Sequence, residues 1–468
     1  MKTSKFFLIL QKMSEEERGE YLFFLDYQLP EGKQAQLLAR YFCDCLASGD
    51  ELPEKATLSG SLLPGEDFSD KQVNYTLSKL NKLAEKFLAW KQLSANSGLV
   101  SLAKLRQFSR LELDKHFKAE NKRLQESLFS SSIKGAEDFL LQTNYFNVRD
   151  EHYIRKKVRR EDANIEQATD ALDAYYYTKK LQLACSMLDR QKIIQADIDH
   201  QITPGWLEQL ERSSAIREPI VQLYLTIFHS LQDEDNEAHF WKLKEALLGI
   251  QSTAKPEVLG EITQFSINYC ARKIRLGQQR YVREALDLYQ EGIEQQWLFS
   301  GGELSPWAFT NVVKLFLRLQ EYKSAKAFIE EYEKFLPGEF RQNARNYNMA
   351  ELLYYTDQKT EAQQYLLQVA YSDLNYYLGA RVLLAKIYFE TEEEEALLAH
   401  LAAFIIFLKR NKKISKDLQS TFLNFCQILH QIMRRNRRKT KDLLNLIEKT
   451  KLLTDRDWLK NTALEKYT

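Results

Sequence analysis

Glycine and proline are scarce in this chain, and their scarcity limits the fold more than any other feature of the sequence. Together they account for 24 of 468 residues, about 5%, where an average protein carries roughly 12%. Sheets need turns, and turns depend on these two residues, so the sequence argues against an all-β fold. Apolar residues make up 44% of the chain, with 24 Tyr, 26 Phe and 6 Trp among them. This apolar content is enough for a large core and argues against global disorder.

Helical periodicity continues along almost the whole chain. Ser14 and Glu17 have the spacing of a capping box, in which a hydroxyl and a carboxylate satisfy backbone N–H groups at a helix start. A second capping box at Ser69 precedes apolar residues at spacings of three and four, which predict a helix of about twenty residues. In residues 171–194, one apolar side is formed by Leu172, Tyr176, Leu183 and Met187. Residues 52–68 are the most turn-rich stretch of the chain and lie within an N-terminal module, which a second break at 94–98 separates from the rest.

From residue 99 onward helix follows helix, with short polar breaks and no strand pattern. Such a succession is typical of helical-repeat proteins. We therefore predict an all-α fold, an α-solenoid of antiparallel helix pairs with a small helical N-terminal module. The predicted parts are the N-terminal module at 1–93, an irregular helical-repeat region at 99–300, regular repeats at 301–410 and a C-terminal helical cap at 411–468.

Residues 308–337 carry the repeat signal most clearly. Their large and small apolar positions are Phe309, Val312, Val313, Phe316, Ala325 and Ile329, with Pro337 at the end. Equivalent positions recur after 37 residues at Met349, Ala350, Leu353, Ala362, Leu366 and Val369, and after a further 35 at Leu384, Ala385, Tyr388, Leu397, Leu401 and Phe404. This segment resembles a tetratricopeptide repeat over its whole length without a gap. The resemblance implies paired helices that cross closely at small residues.

In tetratricopeptide proteins, the first helix of each pair lines a groove that binds peptides. Carried over to this sequence, the resemblance implies groove positions at Thr310, Lys314, Leu317, Arg318, Tyr347, Asn348, Glu351, Tyr355, Val382, Lys386 and Glu390. This mixture suits a protein or peptide partner, because aromatic residues provide contact area and charged residues fix the register of a bound peptide. The alternative is a groove that is only solvated, or that is filled by a helix of the same chain.

The chain as a whole also resembles an all-helical family of Bacteroidetes-type bacteria. The resemblance rests on three stretches, LILQKMSEEERGEYLFFL, LLPGEDFSDKQVNYTLSKLNKLAEKFL and LDAYYYTKKLQLACSML. What these stretches share with the family is apolar spacing rather than chemistry. The family has no assigned activity, so the resemblance implies an architecture and no mechanism.

The sequence contains no motif for catalysis or for a cofactor. Glycine-rich phosphate loops, HExxH, GxSxG and EF-hand patterns are all absent. The five cysteines, Cys43, Cys45, Cys185, Cys270 and Cys426, form no CxxC pair, which favours buried thiols in a reducing compartment. The seven histidines are far apart, and His229 and His239 cannot share a helical face, so each is interpreted as a surface or core residue. We predict a non-enzymatic protein with no cofactor and no metal.

Charge and hydropathy indicate a cytoplasmic protein without a membrane segment. The N-terminus has only five consecutive apolar residues, too few for a signal peptide, and no apolar stretch reaches the length that spans a bilayer.

The net charge of +1 gives no chain-wide reason to expect nucleic acid. From residue 409 to the end, however, the sequence contains 16 basic and only 6 acidic residues. A candidate basic patch there consists of Arg434, Arg435, Arg437, Arg438 and Lys439, which would bind phosphate backbone or an acidic partner unless it is a solvated loop.

These patterns favour two functions, and they leave open a third, a hydrolase, because paired catalytic carboxylates would not stand out among 65 acidic residues. The first is a helical-repeat scaffold that binds a protein through its concave groove, with the oligomeric state left open. The second is a DNA-binding regulator, because the N-terminal module resembles the last part of a winged helix-turn-helix fused to tetratricopeptide repeats in certain bacterial regulators. Its recognition helix would present Lys71, Gln72, Asn74, Lys79, Asn81 and Lys82. The low net charge and the weak support for wing strands argue against this second function.

Overall fold

The computed structural model describes residues 4–50, 70–130, 133–157, 164–194, 200–233, 236–370, 373–412, 414–434 and 440–465. Over these ranges the chain is all-α apart from one short strand pair. The helices of the N-terminal half are α1 (Lys5–Lys12), α2 (Glu15–Gln28), α3 (Lys33–Ser48), α4 (Asp70–Ala95), α5 (Ser97–Arg110), α6 (Asp114–Leu128), α7 (Ala136–Arg155), α8 (Asn164–Ile194), α9 (Pro204–Arg212) and α10 (Pro219–Gln232). The remaining elements are α11 (Ala238–Ile250), α12 (Pro256–Arg275), α13 (Arg280–Glu294), β1 (Phe299–Ser300), β2 (Glu303–Leu304), α14 (Pro306–Arg318), α15 (Tyr322–Tyr332), α16 (Gly338–Tyr355), α17 (Lys359–Leu367), α18 (Leu374–Glu390), α19 (Glu394–Arg410), α20 (Lys416–Arg434), α21 (Thr440–Lys449) and α22 (Arg456–Glu465). Short 3₁₀ turns occupy Ser214–Arg217 and Glu333–Phe335.

Polar side chains cap the N-terminal helices where the sequence predicts. The backbone N–H of Glu17 donates to Ser14 Oγ at 3.1 Å, and the N–H of Ser14 donates to the Glu17 carboxylate at 2.9 Å, so the capping box is confirmed. Asn96 separates α4 from α5 and accepts a hydrogen bond from the N–H of Leu99 at 3.0 Å. The break predicted at 94–98 is therefore a single capping residue between two helices. The predicted box at Ser69 and the turn-rich residues 52–68 lie outside the described residues.

Packing divides the chain into two compact units, Met1–Ser132 with Ala136–Tyr176, and Ile133–Gly135 with Tyr177–Thr468. In the first unit, α1 to α4 enclose an apolar core whose largest members are the fully buried rings of Phe6, Tyr21, Phe42 and Phe87. The Tyr21 hydroxyl donates to the carbonyl of Leu80 at 3.2 Å, which satisfies its buried polar atom. The four-part division at 93, 300 and 410 remains a prediction.

In the second unit, consecutive helices pack as pairs: α12 with α13, α14 with α15, α16 with α17 and α18 with α19. The first helices α14, α16 and α18 also pack on one another. Each pair turns through a residue with left-handed backbone, namely Gly277, Gln320, Asp357 and Glu392, with φ between +57° and +85°. The N–H of the following residue bonds the carbonyl five residues earlier, which is the Schellman arrangement. The left-handed residues stand 43, 37 and 35 residues apart, and the last two intervals equal the repeat spacing read from the sequence.

The 43-residue interval contains a small hairpin that the sequence pattern does not reveal. Phe299 pairs with Leu304 and Ser300 with Glu303 in an antiparallel ladder. Between them, Gly301 and Gly302 have φ of +59° and +80°, as a two-residue hairpin turn with two left-handed residues requires. The prediction of no strand in this part of the chain is therefore wrong here. A ladder of two residues per strand leaves the fold all-α.

Core positions predicted from the repeat are buried, whereas the apolar side predicted for α8 is not. All the repeat positions on α14 to α19 that the spacing selects are buried, except for a half-buried Tyr388. On α8, in contrast, Leu172, Tyr176 and Leu183 are about half exposed, and the buried side combines alanines such as Ala171 and Ala184 with the larger Tyr177, Leu181 and Leu188. The apolar side predicted for α8 is therefore wrong, because the side that packs mixes large residues with small ones that allow helices to approach closely.

Candidate functional site

A cavity of about 1090 Å³ lies in the second unit, where α14, α16 and α18 face the chain that leads into α22. Its walls are rich in aromatic side chains: Trp307, Tyr322, Phe340, Tyr347, Tyr355, Tyr376 and Phe422. The charged lining residues are the cations Lys314, Arg318 and Lys386 and the acids Glu351, Asp373, Asp455 and Asp457. The cavity therefore combines a large aromatic surface with charges of both signs.

Most of the groove positions predicted from the sequence line this one cavity. They are Thr310, Lys314, Leu317, Arg318, Tyr347, Glu351, Tyr355, Val382 and Lys386. The repeat explains this clustering, because positions 314, 351 and 386 are equivalent on three first helices that pack on one another. Asn348 and Glu390 do not line the cavity. The role of the lining residues in binding remains a prediction.

Asn348 is fully buried and connects α16 to α14. Its Nδ2 donates to the carbonyl of Ala344 at 2.8 Å and to the hydroxyl of Thr310 at 3.1 Å. The Thr310 hydroxyl lies 2.9 Å from that of Tyr376, which donates to the carbonyl of Pro306 at 3.0 Å. Burial raises the pKa of Tyr376 to about 12, so its hydroxyl remains a donor. The placement of Asn348 on a partner-contacting surface needs correction, because its side chain joins two helices.

Glu351 is the acid most tightly held by the aromatic wall. Its Oε1 accepts a hydrogen bond from the Tyr347 hydroxyl at 2.8 Å and lies 3.9 Å from Nζ of Lys314. Its Oε2 is enclosed and has no hydrogen-bond partner among the described residues. Burial, followed by the charge of Glu351, raises the pKa of Tyr347 well above its ordinary value. The Tyr347 ring also needs Gly379, where a Cβ atom would lie 2.9 Å from it.

The C-terminal part of the chain supplies one wall of the cavity. Asp455 accepts a hydrogen bond from Nζ of Lys386 at 2.8 Å, and this ammonium lies 5.2 Å and 5.4 Å from the ring centres of Tyr354 and Trp458. Trp458 Nε1 donates to Glu390 at 2.8 Å. No sequence pattern points to Asp455, which lies 69 residues beyond Lys386 and belongs to no motif. Part of the predicted groove is thus covered by the same chain, one of the alternatives left open above.

The candidate basic patch is described only at its first residue. Arg434 is exposed and ends α20. Arg435, Arg437, Arg438 and Lys439 lie outside the described residues, so the patch remains a prediction.

The residues suggested for a DNA-recognition helix are on α4. Lys71, Gln72, Asn74, Lys79 and Lys82 are exposed there, and Asn81 is half-buried and donates to Glu85 at 2.7 Å. The residues that would form the preceding part of a winged helix lie outside the described ranges, so this interpretation also remains a prediction.

The prediction for the cysteines is confirmed, whereas the prediction for the histidines is wrong for one pair. All five cysteines are buried free thiols, as predicted, and burial raises the pKa of Cys426 to about 12, which keeps it protonated. The view that the histidines are far apart is wrong for His229 and His239, whose ring centres are 5.9 Å apart. They meet because α10 and α11 pack together. Burial, followed by the charge of His239, lowers the pKa of His229.

Neither a metal centre nor a membrane segment is found in the described parts of the chain. There, no three or more His, Cys, Asp or Glu side chains are grouped so that they could hold a metal ion. No helix in those ranges has both the length and the apolar character needed to cross a membrane. In comparisons with known proteins, the chain matches no family model, no curated protein and no solved structure.

Proposed function

We propose that this protein is a non-enzymatic, tetratricopeptide-like helical-repeat scaffold that binds a partner protein by holding a peptide segment in the cavity of α14, α16 and α18. The observation that carries the proposal is that most groove positions implied by the tetratricopeptide resemblance line a single aromatic cavity. The equal turn geometry at Gln320, Asp357 and Glu392 supports the repeat on which that resemblance depends.

Two aromatic residues of the cavity are available to a partner. Trp307 and Tyr355 both line it and are 63% and 54% exposed. Large aromatic side chains bring much contact area with little loss of side-chain entropy, and they dominate the energetics of many protein interfaces. Charged neighbours such as Arg318 and Asp457 would fix the orientation of the bound segment. The five buried thiols support a reducing compartment, and we place the protein in the cytoplasm on that ground.

A random peptide library selected on the full chain tests this proposal. We expect selected peptides to bind at least tenfold more weakly to the Trp307→Ala and Tyr355→Ala variants, because each change removes an exposed aromatic contact. Tyr27→Ala is the matched control, since Tyr27 is 82% exposed on α2. Selection of no binding peptide, or equal affinity of all three variants for the selected ones, would refute the proposal.

A further inference from the structure

We propose that the side of α16 formed by Tyr347, Glu351 and Tyr355 recognises a cationic side chain of the bound peptide, the guanidinium of arginine or the ammonium of lysine. This inference rests on the proposed function and specifies what the cavity selects. It follows from the position of Glu351 in its helix, from its incomplete pairing and from a filled site of the same chemistry in the same unit.

The three residues are spaced by four along α16, so they share one side of the helix. α16 ends at Tyr355, so Glu351 lies one turn before its C-terminal end, and the last turn of the described helix has no basic residue. The C-terminal end of a helix carries partial negative charge, which disfavours a carboxylate and favours a cation. Glu351 therefore adds negative charge where the field of the helix already attracts a positive group.

Only one of the two carboxylate oxygens of Glu351 accepts a hydrogen bond in the described part of the chain. The Tyr347 hydroxyl satisfies Oε1, while Oε2 is enclosed with no hydrogen-bond donor in the described part of the chain. A buried oxygen that lacks a donor is unfavourable, and more so when it is charged. Lys314 comes only to 3.9 Å of Oε1, outside hydrogen-bond distance, with 52% of its side chain exposed. Lys314 is thus a weak partner that an incoming cation can displace.

Lys386 shows what a completed cation site looks like in this unit. Its side chain is only 12% exposed, its ammonium is 2.8 Å from Asp455, and the rings of Tyr354 and Trp458 lie within 5.4 Å. A carboxylate and two aromatic faces are the components that hold a cation by charge and by cation–π attraction. Glu351 with its two tyrosines offers the same components, but Lys314 fills that place only partly.

The other charged groups that line the cavity leave this preference in place. Lys386 is paired with Asp455, Asp457 adds negative charge, and Asp373 caps the start of α18. Arg318 donates to Gln279 at 3.1 Å. The carboxylate of Glu351 is therefore the acceptor in the cavity with most to gain from a new donor.

Four fluorescent peptide pools test the inference by anisotropy on the full chain. They share randomised flanks and differ only in a central arginine, lysine, citrulline or glutamate. We expect the arginine and lysine pools to bind about tenfold more tightly than the citrulline and glutamate pools, as the loss of one charge-assisted contact implies. Glu351→Gln, which keeps an acceptor for Tyr347, should reduce this ratio below about threefold. Glu361→Gln, an exposed change on α17, should leave the ratio unchanged.

A second variant gives a change of opposite sign that does not depend on altering Glu351. Lys314→Gln removes the competing ammonium at an exposed position, so we expect it to strengthen binding of the arginine pool by a few-fold. Weaker binding in this variant, or equal binding of arginine and citrulline pools, would overturn the inference. If all pools bind equally but Trp307→Ala weakens every one, the peptide scaffold stands and its cation preference is wrong. If no pool binds the unaltered chain, both proposals are wrong.

Discussion

The helices α1 to α4 and the helices α14 to α18 are built from the same element but bury different chemistry. The first set encloses aromatic and aliphatic side chains, and the hydroxyl of its buried Tyr21 is paired. The second set buries Asn346 and Asn348, which each have one side-chain atom that lacks a partner among the described residues. Apolar burial is explained by folding stability alone. The first set also has two such atoms, Asp26 Oδ1 and Asn81 Oδ1, but they belong to half-buried residues, whereas Asn346 and Asn348 are fully buried. Buried polar atoms without a partner oppose stability, so the second region is the better place to look for a ligand.

The aromatic side chains of the first core differ in exposure from those of the cavity wall, although α2 and α4 also carry exposed rings outside that core, those of Phe23, Tyr27, Tyr75 and Trp90. Phe6, Phe42 and Phe87 are wholly inside the first core, whereas Trp307 and Tyr355 are more than half exposed in the wall of the cavity. Truncation should therefore affect stability in the first region and binding in the second.

The largest expected effect is on the first core. Phe87→Ala removes a fully buried ring that lies 5.6 Å from the rings of Tyr21 and Phe24. We expect a loss of about 3–5 kcal/mol in the free energy of unfolding of this region, because a cavity is left behind. Segment-resolved native-state hydrogen exchange checks it, with Trp307→Ala as the exposed counterpart that should change stability by less than about 0.5 kcal/mol. A similar loss in both variants would remove the distinction between the regions.

The next effect is the pH dependence that His400 contributes to the stability of α18 and α19 in the second unit. Burial lowers the pKa of His400 to about 4, and its Nε2–H donates to the carbonyl of Arg381 at 2.8 Å. The unfolded chain takes up this proton near pH 6.5, so stability decreases as the pH falls from about 6.5 to 4, by at most roughly 1.4 kcal/mol per pH unit.

Comparison of His400→Gln with the unaltered chain isolates this dependence. Residues 1–95 contain no histidine, so hydrogen exchange in α1 to α4 should show no difference between the two proteins at any pH. In α18 and α19, the variant should lose the additional decrease in stability. If both proteins destabilise equally there between pH 6.5 and 4, His400 does not titrate as stated.

The smallest effect concerns the turns. Gln320, Asp357 and Glu392 have left-handed backbone that non-glycine residues adopt at a cost, so glycine at each should stabilise its helix pair by about 0.5–1 kcal/mol. Gly277→Ala and Gly49→Ala should destabilise by about 1 kcal/mol each, because a Cβ atom meets nothing within 4 Å and only the backbone is strained. Urea unfolding of the five variants tests this. Stabilisation by alanine at either glycine would show that the backbone is not left-handed in solution.

Sequence patterns predict what local periodicity controls. The spacing of 37 and 35 residues selects core positions such as Phe309 and Ala350, which are buried, because each repeat places the same helical side against its neighbours. The same reasoning brings Lys314, Glu351 and Lys386 to one cavity.

Contacts between distant segments are not readable from that periodicity. Asp455 reaches Lys386 only through the packing of the C-terminal helices, and His229 meets His239 only because α10 packs on α11. On α8, periodicity identifies an apolar side that includes Leu172, but it does not decide that the side with Leu181 and Ala184 packs instead. Asn348 has a groove position by spacing, yet its hydrogen bonds to Thr310 and Ala344 hold it in the core.

Photo-cross-linking is the most direct test that the cavity of α14, α16 and α18 is the working surface. A library-selected peptide that carries one benzoylphenylalanine is irradiated with the full chain, and the modified residues are identified by mass spectrometry. We predict cross-links to cavity residues such as Trp307, Tyr355 and Phe340, and a strong decrease with Tyr355→Ala. Cross-links concentrated on α1 to α4, or a pattern that Tyr355→Ala leaves unchanged, would contradict it.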